Sequence, residues 1–123
     1  MPLIPSGDAE VFEAHGTQFR SFVRPSRGSA ELCAWRVSVP PGLQGAAHRP
    51  TREEVICCIE GELAITLAGT RHSLRPGDVA YVPAGTEVRL DGGPDGGAAW
   101  TTSLAGLEAV MADGSRLRPA WTS

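Results

Sequence analysis

From Gly16 onward the chain never sustains a helical period; short runs of strand chemistry alternate with turn signals, the pattern of an all-β sandwich or barrel. Fifteen Gly and ten Pro among 123 residues supply the turns. With 41% apolar and 20% charged residues the composition is that of one soluble globular domain, and the length leaves little room for a second. Residues 1–15 contain Pro2, Pro5 and Gly7 and read as an N-terminal arm, leaving 16–123 as the β domain.

Alternation by two assigns the faces. Trp35, Val37 and Val39 share one face of a half-buried strand, with Arg36 and Ser38 on the other. Glu54–Glu60 is apolar on both sides and reads as covered on both. Glu60 and Gly61 predict a tight turn into a hairpin partner carrying Leu63, Ile65 and Leu67. A turn over Arg75–Asp78 precedes a buried run, Val79–Val82, and Thr86, Val88 and Leu90 then face inward together. Asp91–Gly97 reads as a polar glycine loop, Ala98–Leu104 as a strand holding Trp100, and the ending through Met111, Gly114 and Trp121 as a last hairpin and tail.

Several function classes are disfavoured. The net charge is −3, and the eleven basic residues, all Arg, are scattered, so no nucleic-acid patch is predicted. No apolar run approaches the roughly 20 residues of a membrane span. The start MPLIPSGDAE has no signal-peptide pattern, and the expected location is cytoplasmic. Three cysteines, two of them adjacent at Cys57 and Cys58, point to reduced thiols.

One stretch carries a more specific spacing. Gly42, five residues, His48, then Pro50, Glu54, six residues and Gly61 resembles the first motif of the cupin family of small antiparallel β-barrels, or jelly rolls. Gly77, Asp78, Pro83 and Gly85 are similar to its second motif. The resemblance implies that His48, Glu54 and the side chains at 50 and 88 converge near one barrel mouth. Cupins commonly bind Fe, Mn, Ni, Cu or Zn there through three His and one Glu. Here Pro50 and Val88 stand where two histidines are usual. Only His48 and Glu54 remain as metal ligands, and two ligands hold a divalent ion poorly. Cys58 lies four residues from Glu54, roughly 13 Å along an extended strand, too far to share its metal.

The expectation is therefore no cofactor, with a divalent metal as the alternative. His48 and Glu54 are the candidate catalytic residues, as an acid–base pair: desolvation beside Val88 and Pro50 raises the carboxyl pKa, while a protonated histidine nearby opposes the rise. The structural alternative is a hydrogen-bonded pair retained without chemistry. Candidate ligand contacts are Trp35, Pro50, His72, Tyr81, Val88 and Trp100. His72 shares parity with Leu74 and is placed at the interior or its rim, read first as a hydrogen-bonded structural histidine and second as a pocket contact; Tyr81 reads first as a core or interface residue, and His15 as a solvated loop residue.

Three functions remain open: a small-molecule-binding cupin, extending to a metal-independent isomerase, cyclase, dehydratase or epimerase; a metal-dependent oxygenase or lyase; and a non-catalytic ligand-binding or accessory protein. The partners expected are a small organic ligand and, by family resemblance and the apolar face of Val55, Cys57 and Ile59, a second copy in a homodimer.

Overall fold

The computed structural model describes residues 3–123, so Pro2 of the predicted arm lies outside the described residues. Ten strands form a single curled antiparallel sheet, and no α-helix occurs among the described residues. The strands are β1 (Glu10–Ala14), β2 (Thr17–Val23), β3 (Leu32–Val39), β4 (His48–Pro50), β5 (Glu54–Leu67), β6 (Thr70–Leu74), β7 (Val79–Val82), β8 (Val88–Leu104), β9 (Ala109–Met111) and β10 (Arg116–Leu117). One path runs β1-β2-β3-β8-β4-β9-β10, and β5 lies between β8 and the pair β6 and β7. This is the β-barrel of jelly-roll type.

Two long strands shape it. β8 pairs through its second half with β3, through its first residue with β4, and along both halves with β5. Register shifts between Cys58 and Glu60 and between Gly61 and Leu63 bend β5 where it crosses β8. Gly61, at φ 66°, is required there, because a Cβ would strike the backbone of Gly96 and Gly97. This corrects two expectations. Glu60 and Gly61 form a bulged bend inside one continuous strand, and Asp91–Gly97 is the glycine-rich middle of β8, where backbones approach too closely for side chains.

The hairpin turn instead falls at Ala68 and Gly69, both with positive φ, as a two-residue turn between right-twisted strands demands. The sheet also begins earlier than the arm reading implies, since Glu10–Ala14 pairs residue by residue with β2. The C-terminal hairpin is present as β9 and β10. Its tail folds back: Ser21 Oγ donates to Trp121 O at 2.7 Å, Cys33 Sγ to Thr122 O at 3.3 Å, and the Trp121 ring stacks on Phe19 at 3.8 Å.

The core is the concave side of the sheet. Trp35, Val37 and Val39 meet Ile56, Leu63, Ile65, Val82 and Val88 there. The runs expected to be buried on both faces are not: Val55, Ile59, Val79 and Tyr81 are all more than two-fifths exposed, and only their alternate neighbours are buried. The convex face of β5 and β7 is thus apolar and open.

Candidate functional site

The concave side encloses a cavity of about 140 Å³. His48, Pro50, Glu54, Val88 and Trp35 all line it, so the five positions implied by the motif spacing and the Trp35 face do converge. The register explains how. His48 in β4 sits opposite Val88 of β8 and Met111 of β9, while Pro50 opposes Ala109 and Glu54 opens β5 opposite Val82. The Gly85 N–H donates to Pro50 O at 2.8 Å, tying the second glycine–proline turn to the β4 end of the cavity.

Glu54 is the chemical centre of this wall. It is 7% exposed, and among the described residues nothing donates a hydrogen bond to its carboxylate. Burial without a compensating charge pushes its pKa up from 4.5 to about 7. His48 is half-buried, and its Nδ1 donates to Ala46 O at 3.0 Å. Since a carbonyl only accepts, this contact assigns the proton to Nδ1 and leaves the Nε2 lone pair for other partners. No hydrogen bond or ion pair joins His48 to Glu54 among the described residues, so the two are separate groups on one cavity wall and not the hydrogen-bonded pair that was the structural alternative.

Three predicted contacts are not brought to the cavity. Trp100 lies on the face of β8 opposite to Ala99 and Thr101, and packs outside against Phe22 at 5.3 Å between ring centroids. Tyr81 is opposite in parity to the buried Ala80 and Val82, and is 55% exposed beside Val55. His72 opposes the buried Ile65, so its inward parity holds, but β6 pairs only with β5 and leaves this edge position exposed.

Other residues complete the lining. Thr101 is 3% exposed and faces the cavity from β8, between Trp35 of β3 and Ile56 of β5. Period two in Ala99, Thr101 and Ser103 is a signal for it. Phe19 and Trp121 form a stacked aromatic wall, and His15, exposed and held at φ 54° in the β1–β2 turn, borders the mouth. The position of Trp121 depends on the folded-back tail, for which local sequence offers no signal.

The lining does not fit a divalent metal. Its donors near the motif positions are His48 and Glu54, and no group of three His, Cys, Asp or Glu side chains is gathered for an ion anywhere among the described residues. Pro50 and Val88 fill the remaining positions with side chains that cannot coordinate.

Comparison with known proteins agrees with this architecture. The cupin domain family model matches residues 35–93. The chain is 36% identical over 92 residues to the endoribonuclease YbeY of Myxococcus xanthus; the match takes in 73% of this chain but spans only 29% of that relative. The polyketide cyclase RemF of Streptomyces resistomycificus superposes with a TM-score of 0.72 at 18% identity, covering 85% of this chain and 79% of the cyclase. An RmlC-like cupin of Shewanella frigidimarina gives 0.67 at 22% identity, covering 82% and 87%. The matched family model, the motif spacing and the curled sheet together identify a cupin domain over residues 35–93 of this chain.

Proposed function

We propose that the cavity binds a small organic molecule and transfers protons on it without a metal, Glu54 acting as the acid and His48 Nε2 as the base. The observation that carries this reading is the Glu54 carboxyl, buried in apolar surroundings without a donor and holding its proton to about pH 7. A general acid works best when its pKa lies near the working pH. A carboxyl and an imidazole in dissimilar surroundings divide the two roles: Glu54 delivers a proton to the substrate, and the His48 lone pair removes one elsewhere on it. Isomerisation, cyclisation, dehydration and epimerisation all reduce to such an exchange. The structural likeness to a polyketide cyclase supports the cyclisation form.

The endoribonuclease name belongs to a relative of which this chain spans 29%, and RNA cleavage does not suit the cavity, whose lining includes no Arg to meet a phosphate. No helix among the described residues is long and apolar enough to cross a membrane. The open convex face, with Val55, Ile59, Val79 and Tyr81, supports a homodimer. A monomer by light scattering at micromolar concentration would contradict it.

The catalytic reading is tested on untagged protein. Small molecules released by denaturation are identified by mass spectrometry, and each is incubated with fresh protein in D2O. Deuterium uptake or conversion is expected, falling by about a hundredfold or more in Glu54→Gln and His48→Ala. Unchanged turnover in His48→Ala removes its catalytic role; a ligand bound but never altered makes the protein a binder. Metal well below one equivalent, with no gain from added Fe, Mn, Ni, Cu or Zn, is the accompanying expectation.

A further inference from the structure

The cavity walls narrow the class of molecule that fits, an inference resting on the reading of this cavity as the ligand site. At about 140 Å³ its volume matches that of an apolar void, ~150 Å³, that takes up a single benzene ring. Flat aromatic surface lines it: Trp35 from β3, and the Phe19–Trp121 stack, whose rings lie within 10° of parallel and leave no slot between them.

Charge restricts the ligand further. No Arg borders the cavity and the chain has no Lys, so a bound carboxylate would find no permanent cation there. An anion buried without a partner is strongly disfavoured. A wholly apolar ring would satisfy neither His48 nor Glu54. His48, with its Nδ1 proton given to Ala46 O, presents an acceptor at Nε2 and so suits a ligand that donates. Thr101 adds a hydroxyl able to donate or accept.

We infer that the cavity accepts an uncharged single aromatic ring bearing a hydroxyl, a simple phenol, whose O–H donates to His48 Nε2, and that it rejects the matching carboxylate. The aromatic walls take the ring faces, and the hydroxyl supplies the one donor that the imidazole lacks. A second fused ring would have to extend out through the mouth of the cavity, away from the aromatic walls.

Phenol, toluene, benzoate and 2-naphthol are titrated separately into uniformly 15N-labelled protein at pH 7.5, and amide shifts are followed. Phenol is expected to shift the Ile56 and Thr101 amides and to bind at least about tenfold more tightly than the other three. In His48→Ala that preference over toluene disappears; His48→Gln, which keeps an acceptor, restores part of it. Benzoate binding as tightly as phenol, with shifts still at Ile56 and Thr101, overturns the inferred class and leaves the cavity as a ligand site. Phenol shifts mapping elsewhere, or absent at millimolar concentration, also overturn it. Phenol bound with the expected preference supports the inference even where D2O incubation detects no proton exchange, a result that removes only the acid–base reading.

Discussion

Glu54 and Asp91 are both buried carboxylates, 7% and 3% exposed, yet their surroundings move their protons in opposite directions. Desolvation acts on both. At Asp91 it is outweighed by the Gly45 N–H at 2.9 Å, Arg71 at 2.8 Å and Arg89 at 3.0 Å, and its pKa falls below the usual value. At Glu54 nothing outweighs it, and the pKa climbs to about 7. The Asp91 cluster fastens the loop before β4 to β8, and Gly45 must be glycine there because a Cβ would meet Leu90 O. A carboxylate supplied with donors holds the wall of the cavity together; one denied them keeps a proton available within it.

The difference has a pH signature of opposite sign. Glu54 has a folded pKa raised above its unfolded 4.5, so its contribution to stability is complete below pH 4.5 and is lost as pH rises through about 7. Across that window it amounts to about 3 kcal/mol. Glu54→Gln should remove this slope and leave the variant more stable than wild type at pH 8, measured by urea unfolding at pH 4.5 and pH 8. Parallel pH profiles for the two proteins would break the contrast.

Supplying Glu54 with a cation, as Asp91 already has, sharpens it from the other side. Pro50→His together with Val88→His adds two donors beside His48 and Glu54, and Zn or Ni affinity should rise by about a hundredfold, ~2.7 kcal/mol, by calorimetry. No gain would mean that the four positions do not converge as described.

Asp91→Asn should cost about 2 kcal/mol at pH 7, the scale of hydrogen bonds to a charged group, measured by urea unfolding. Its folded pKa is lowered, so this contribution is present above the unfolded value of 3.8 and fades as pH falls through the folded one. Arg71, more than half exposed, gives the smallest effect: Arg71→Gln should cost about 0.5 kcal/mol and less in high salt.

Motif spacing and parity carried much of this arrangement. His48, Pro50, Glu54 and Val88 meet in the cavity because glycine turns and pairing register are local properties that spacing records. Parity placed Val88 and Leu90 inward. It does not tell whether a face is covered, which depends on partners distant in sequence: His72 keeps its inward parity but is exposed because β6 is an edge, and Val79 and Tyr81 are exposed because no element among the described residues covers that face. The glycines at 92–97 read as a loop because their requirement, room for a crossing backbone, leaves the same composition as flexibility. Trp121 reaches the cavity only through the return of the C-terminal tail.

The acid–base reading of the cavity depends on its carboxyl staying protonated near neutral pH. Titration of the Glu54 side-chain carboxyl by 13C NMR, assigned by loss of its signal in Glu54→Gln, tests this directly. A midpoint at about 7 is predicted. A midpoint near the ordinary 4.5 would contradict the account, because Glu54 would then be an ionised, solvated group with no proton to give.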